Sequence, residues 1–329
     1  MPTLALASAT ANFGLTLLRT FLHLNALTPT HTLILLSRTP QPHITALHPN
    51  LTVRVVDYTD PEQLTHALRE VHTLLSLIGG AGLRDSQLAL IAAAKSAGVK
   101  RFAPSEFAGH GYEGIDLYAG KAEVWEAAKA SGMEVTKFET GLFMSVLATG
   151  TPKESTEVGV REGAKSGEEE ALAGLRPWKF VIDAEAGTAD LPGDGRAKLV
   201  WTDMRDVARF VWEACALEEW DEVSGMRGDV KSFREVVEIL ERVQGRKFLI
   251  KGNPLDKLEK EAKEPGMRFY NQCRIAFAKG WGMVGDDLNR AFPEVKATTC
   301  EEFIEKWWGE VALGEPQWAD VKAFDAEDM

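Results

Sequence analysis

The sequence predicts an α/β protein built on a doubly wound parallel sheet, with a smaller and mainly helical C-terminal part. Two observations carry the first half of that expectation. Through residue 150, short apolar runs of β-type composition alternate with helical patterns, the arrangement that builds strand–helix–strand units. Most of those runs are nearly continuous rather than alternating, as parallel strands covered on both faces require. The third observation is the change of texture after Gly150, where helical spacing takes over.

Strands are expected over 3–9, 32–37, 51–57, 73–79, 101–105 and 134–140, and helices over 15–24, 61–70, 86–97 and 121–130. In the last helix Val124, Ala127 and Ala128 recur at helical spacing, and Ser131-Gly132 supplies a stop. Residues 151–176 are polar and rich in Gly, Glu and Lys, and read as an insertion or mobile excursion. A strand over 178–183, a turn at Leu191-Pro192-Gly193-Asp194-Gly195 and a strand over 198–202 follow. Helices are then expected over 206–217, 232–244, 254–263, 266–278 and 299–311. Ser232 and Glu235 have capping-box spacing at the start of one of them.

Composition narrows the function. The 329 residues carry a formal charge of −12, which argues against a general nucleic-acid binder. The first 150 residues hold 11 Lys and Arg against 12 Asp and Glu, so almost all of the negative charge lies beyond them. No apolar run is long enough to cross a membrane, and the N-terminal stretch lacks the basic region of a signal peptide, so it reads as a buried first strand. All seven histidines lie between His23 and His110 without metal-ligand spacing, and Cys215, Cys273 and Cys300 are too scattered for a zinc site or a disulfide framework. No metal is expected, and three buried thiols suit a reducing cytoplasm.

Ligands of such a sheet bind beyond the carboxyl ends of its strands, where the strand order reverses. The turn after the first strand runs Ser8-Ala9-Thr10-Ala11-Asn12-Phe13-Gly14. A dinucleotide fingerprint would place glycine at positions 8, 11 and 14, for the tight turn, for pyrophosphate approach and for helix–strand packing. Only Gly14 keeps it. Arg38, after the second strand, suits the 2′-phosphate of NADP or is simply a solvated loop arginine. Asp57-Tyr58 and Gly79-Gly80 follow the third and fourth strands, where they either line a nucleotide or serve as turn chemistry.

Further along, Arg101-Phe-Ala-Pro-Ser-Glu-Phe107, Lys121 at the start of a helix and Thr140-Gly-Leu-Phe143 together resemble the NmrA-like and isoflavone-reductase-like family of atypical short-chain dehydrogenase relatives. Leu191–Gly195, 201–210 and Phe292-Pro-Glu-Val295 extend the likeness over nearly the whole chain, with 151–176 the main excursion. The resemblance implies a Rossmann NADP(H) domain over 1–150, with 197–228 returning to it, and a substrate-binding part from 151–196 and 229–329. It implies NADPH or NADP as cofactor, with Ser8, Thr10, Ala11, Asn12, Phe13, Gly14, Arg38, Asp57, Gly79, Gly80, Lys121 and Phe143 as candidate contacts. In the family's reductase branch a lysine at the place of Lys121 is the acid/base for reduction of phenylpropanoid-type substrates, and the onward distance to Gly132 agrees.

This chain departs from that pattern in three ways. Two of the three loop glycines are replaced. Gly141 stands where the reductases have asparagine, which is expected to enlarge or reshape the pocket. The segment before Lys121 is short, and Tyr118 stands three residues before the lysine, not the four of the ordinary Tyr–Lys pair. A lysine must be desolvated or set near positive charge to act near neutrality, and the first turn of a helix supplies the second condition. Tyr118 and His110 share its loop as candidate donors, whereas Glu106 is expected to bond nearby backbone amides. Trp178, Phe143 and Met144 could floor an aromatic pocket or simply pack the core.

Three functions fit these residues: an NADPH-dependent reductase of a conjugated or aromatic small molecule of the secondary-metabolism type, a non-redox isomerase, dehydratase or cyclase on the same scaffold, and an NADP-sensing regulator that catalyses nothing. Monomer and homodimer are both compatible with the sequence.

Overall fold

In the computed structural model, which describes residues 1–48, 51–80, 82–155 and 167–318, six parallel strands form the central sheet. They are β1 (Thr3–Ala7), β2 (Thr32–Ser37), β3 (Thr52–Val55), β4 (Thr73–Ser76), β5 (Arg101–Ala103) and β6 (Glu134–Val135), in the order β3-β2-β1-β4-β5-β6. The order reverses between β1 and β4, which opens the crevice of a doubly wound sheet at their carboxyl ends. β1 lies at the centre, with Leu4–Ala7 in register with Leu33–Leu36 on one side and Thr73–Ser76 on the other. Leu4, Ala5, Leu6 and Ala7 are all fully buried, because helices cover both faces.

Helix α1 (Asn12–Leu27) packs on one face beside a later helix, Met204–Ala214, through Leu17, Leu18, Phe21, Phe210 and Val211. A short α2 (Pro42–Leu47) also lies on that side, through Ile44. The opposite face takes α3 (Pro61–Ala67), α4 (Leu83–Ala97) and α5 (Ala119–Lys129), through Leu64, Leu90 and Val124. Within 197–228 the helix packs on α1 and Val223–Gly225 pairs in parallel with Lys137–Glu139, whereas Leu199 and Trp201 of the strand Lys198–Thr202 join the C-terminal core.

Several strands are shorter than their apolar runs. β1 stops at Ala7 because Ser8 turns at φ +67°, and β5 stops at Ala103 before Pro104. The run 134–140 is split into β6 and Lys137–Glu139, which serve different partners. The expected strand over 178–183 shrinks to Ile182–Asp183, since Val181 takes φ +63°. At 191–195, Leu191 and Pro192 end the strand Thr188–Pro192, so only the last three residues turn. Strands at Val223–Gly225, Asp229–Ser232 and Leu249–Asn253 were not expected. Their mixed composition has no period, and partners far along the chain determine them.

The C-terminal part pairs Leu249–Asn253 with Thr188–Pro192, and the latter with Ile182–Asp183. Helices Phe233–Gln244, Arg268–Ala278 and Cys300–Trp308 enclose a core that includes Phe180, Phe233, Phe277 and Trp307. Ser232 and Thr299 each close a full capping box. Trp307 and Trp308 are both buried, and the Trp308 indole donates to the Leu147 carbonyl at 2.7 Å.

Of the excursion 151–176, residues 156–166 lie outside the described residues. Its later part forms the helix Gly167–Leu172. Glu170, buried, anchors that helix through Lys306 at 3.0 Å and Ser155 at 2.8 Å. The three cysteines are free and buried. Among the described residues, no helix is long and apolar enough to cross a membrane.

Candidate active site

The turn after β1 supplies the conformations of a glycine loop without most of its glycines. The left-handed positions are Ser8 (φ +67°) and Asn12 (φ +51°), while Ala11 is extended at φ −150°. The methyl at Ala11 is therefore unstrained, and the strain of the turn falls on a serine and an asparagine, the latter a residue that tolerates this region. Gly14 is needed for packing. A Cβ there would stand 3.0 Å from the Ala9 Cα and 3.2 Å from the Leu77 Cβ, so helix and sheet approach where no other residue fits. No side chain caps the N-terminus of α1, so its free amides and dipole are available to an anion.

Beside this turn lies a cavity of about 300 Å³ lined by Ser8, Thr10, Ser37, Arg38, Thr39 and Tyr58. Arg38 is exposed and makes no hydrogen bond or ion pair among the described residues. Tyr58 has a buried hydroxyl with no partner, and burial pushes its pKa to about 12. Asp57 turns elsewhere: its carboxylate accepts from the Thr59 amide at 2.8 Å and the Thr59 hydroxyl at 2.7 Å, so it is turn chemistry and Tyr58 is the cavity residue. Gly79 and Gly80, after β4, are exposed across the crevice, and nothing lies within 4 Å of where a Gly79 Cβ would stand. A second cavity, of about 180 Å³, lies between the first turns of α1 and Ala173-Gly174.

The loop from β5 to α5 brings the second half of the site together. Lys121, in the first turn of α5, is 9% exposed. Its amine donates to the main-chain carbonyl of Glu106 at 2.7 Å and lies 4.8 Å from the centre of the Tyr118 ring. Burial holds its pKa below the usual lysine value, with the Glu106 carboxyl pulling the other way. Tyr118 is raised by its own burial. Its ring also meets Trp281 at 5.8 Å, and the Trp281 indole donates to the Gly111 carbonyl at 2.7 Å. The Trp281 carbonyl accepts the His110 amide at 2.8 Å, and Gly109 must be glycine because a Cβ would meet the indole at 2.6 Å. The C-terminal part thus clamps the loop that carries the candidate donors.

The structure joins Lys121 to Tyr118 but directs His110 elsewhere. The His110 ring is exposed, and its Nδ1 lies 3.0 Å from Glu139, which also pairs with Lys137 at 3.0 Å. Glu106 corrects another expectation: among the described residues its carboxyl bonds no backbone amide, and its Oε1 is buried without a partner. Phe143 packs on Phe13 at 5.3 Å, and Phe13 on Phe107 at 4.9 Å, forming an aromatic wall at the turn. Trp178 and Met144 do not join it. Trp178 stacks on Phe180 and Phe269, and Met144 is fully buried in that other core. Nor does Gly141 enlarge a pocket: it takes φ +68°, and a Cβ would stand 2.8 Å from the Val200 Cβ, so glycine is there for the close approach of two strands. Sequence reasoning missed Tyr112, Lys137, Glu139 and the clamp role of Trp281, none of which has a local pattern that marks it.

Strand order and turn geometry are those of a Rossmann-type α/β protein with a clamped lysine beside its crevice. The sequence comparison is more specific: the model of the NmrA-like family matches residues 3–304, and the chain belongs to that family. It is 32% identical over 228 residues to the oxidoreductase BOA1 of Botryotinia fuckeliana (strain B05.10), across 66% of this chain and 69% of that protein. It is 27% identical over 280 residues to the phenylcoumaran benzylic ether reductase Betv6 of Betula pendula, across 76% and 80%. Among solved structures, the binary complex of leucoanthocyanidin reductase with NADPH from Vitis vinifera matches at TM-score 0.69 and 18% identity, over 93% of this chain and 99% of that one. That match establishes the shared fold.

Proposed function

We propose that this protein is an NADPH-dependent reductase of a conjugated or aromatic small molecule, with Lys121 as its acid/base. The observation that carries this reading is the buried Lys121 amine, held between the Glu106 carbonyl and the Tyr118 ring, at the carboxyl end of the same sheet as the Arg38 cavity. The names of the relatives, an oxidoreductase and a benzylic ether reductase, support it.

The residues present fit a phosphorylated dinucleotide. Arg38, unpaired, would take a 2′-phosphate, Tyr58 and Thr10 would wall the adenosine, and the uncapped amides of α1 would face the pyrophosphate. Bound there, the cofactor supplies a hydride. Gly79, Gly80 and Phe143 would border its reactive end. Lys121 then delivers a proton to the substrate atom that becomes basic as it is reduced. Its burial makes that transfer easier near neutral pH than for a solvated lysine. The half-buried Tyr118 and Trp281 rings would border an aromatic substrate. His110 plays no part in this reading, because its ring faces Glu139.

The test is calorimetric titration of cofactor-stripped protein with NADPH and NADH, for wild type and Arg38→Ala, followed by assays of NADPH consumption with enones and aromatic ethers. Preference for NADPH that Arg38→Ala removes, together with substrate-dependent NADPH oxidation, is expected. Binding without any oxidation across the substrate panel would favour the regulatory alternative, and conversion of substrate without net oxidation the non-redox one.

A further inference from the structure

Lys121 and Glu106 are each left with unmet chemistry by everything else around them. An ammonium has three N–H donors, and the Lys121 amine has one hydrogen bond, to a neutral carbonyl. The Glu106 side chain is 6% exposed, and its Oε1 has no partner. The Tyr112 hydroxyl is likewise buried, and it is the neutral group that interacts with that carboxyl. Two other charged groups act on the carboxyl, Lys137 and Glu139, and they are committed to one another at 3.0 Å. Glu139 accepts His110 as well. From the helix Arg268–Ala278 the facing titratable group is Cys273, against Tyr118, and burial keeps that thiol neutral. Of the two lysines that act on the Glu106 carboxyl, Lys121 is therefore the one that has no ion pair of its own among the described residues.

The backbone is shaped to bring them together. The Glu106 amide donates to the Pro104 carbonyl at 2.9 Å, and the Ser105 amide to the Gln87 side chain at 2.8 Å. On the far side, the Ala108 carbonyl takes the Thr140 amide at 2.9 Å. Between these anchors Phe107 is forced to φ +31°, a region a bulky residue enters only when its surroundings over-determine it. The result is that Glu106 presents its carbonyl to the Lys121 amine at 2.7 Å, with its buried carboxyl near enough to act on the same charge.

We propose that Glu106 is the positioning residue that sets the charge of Lys121, its main chain holding the amine and its carboxylate charge favouring the ammonium. The proposal rests on Lys121 being the site's acid/base. In each cycle the Lys121 ammonium gives one proton to the substrate. The neutral amine left behind regains a proton from solvent, and the nearby Glu106 carboxylate favours the restored ammonium. Burial works against both charges, raising the Glu106 carboxyl and lowering the Lys121 amine, and the attraction between the two opposes that effect on each.

The experiment is an NMR titration of the full chain carrying [ε-13C]lysine, without cofactor or substrate, with Lys121→Met identifying the Lys121 signal. Glu106→Gln is expected to lower the Lys121 midpoint by about one pH unit or more, as loss of a nearby opposite charge does, and Glu106→Asp by less. An unmoved midpoint in a folded Glu106→Gln protein overturns the proposal. If that variant fails to fold, the reciprocal measurement decides: with [δ-13C]glutamate, Lys121→Met must raise the Glu106 midpoint, and an unmoved Glu106 signal overturns the proposal equally. Coupled titrations in a protein that never oxidises NADPH would sink the reductase reading and leave the pair standing. Uncoupled titrations in an active reductase would do the reverse.

Discussion

At the β1–β3 end of the sheet, the side chains around the larger cavity each stand within a few residues of the strand that carries them: Ser8 and Thr10 after β1, Ser37 and Arg38 at the end of β2, Tyr58 after β3. At the β5 end the site is assembled from distant pieces. The amine of Lys121 is held by Glu106, its covering ring is backed by Trp281, and Trp281 grips Gly111 across 170 residues of chain. The first region is polar and open, with Arg38 exposed, and the second is closed, with Lys121 and Glu106 both buried. The contrast teaches where each kind of chemistry belongs. Recognition of a charged, hydrated ligand needs exposed donors that short turns can present. A proton donor tuned by desolvation needs a lid of protein, and only tertiary contacts build one.

Variants that act on one region and spare the other test this division. Lys121→Met has the largest expected effect, a loss of roughly 100-fold or more in substrate-dependent NADPH oxidation with NADPH binding retained, read by steady-state kinetics beside calorimetry. The wild-type pH profile sharpens the same point. A proton donor must be charged, so activity falls as pH rises through the Lys121 pKa, and because burial lowers that pKa the alkaline limb is expected below the usual lysine range. A limb at the ordinary lysine value would mean that the amine is solvated.

Arg38→Ala acts on the open region alone. It is expected to weaken NADPH by about tenfold, the low end for a charge-assisted contact at an exposed site, without altering NADH affinity or the pH profile. Equal losses for both cofactors would remove Arg38 from 2′-phosphate recognition. Gly174→Ala tests whether the excursion bears on the dinucleotide turn. Gly174 takes φ +94°, and a Cβ would press on the Asn12 amide and Cα at 3.1 Å. A severalfold weaker affinity for both cofactors is expected, through a displaced turn, by roughly 1 kcal/mol of strain. Unchanged affinity would show that the excursion merely rests there.

The smallest effect is a control far from either region. Glu235 is held at about 2 by its hydrogen bonds with Lys198 and the capping Ser232. A depressed carboxylate stabilises above its ordinary pKa and loses that contribution as pH falls toward the folded value. Glu235→Gln should lower Tm by about 1–3 °C at neutral pH, and the difference from wild type should vanish as the pH approaches 2 in thermal melts.

The contrast between the regions also explains what could be read from the chain. The first five strands, α1, α3, α4 and α5 follow from runs whose period or continuity is local, and Lys198–Thr202 appears with its expected bounds. Arg38 and Lys121 were legible because a motif's order places them. Ser8 was legible as a loop position but not as the residue that takes the left-handed turn. Glu139, Lys137 and Tyr112 carry no pattern, and Gly141 was misread because its neighbour, Val200, lies 59 positions away in sequence and in direct contact in space.

By itself the sequence determined the layered fold and the position of the crevice, since burial on both faces of a parallel sheet writes continuous apolar runs and short turns into the chain. The tertiary structure alone decided which groups in the crevice are paired, buried or free. It assigned Asp57 to a turn and Tyr58 to a cavity, His110 to Glu139, and Lys121 to Glu106. Desolvation and Coulomb interaction depend on distance through space, and nothing in the order of residues along a chain encodes that distance.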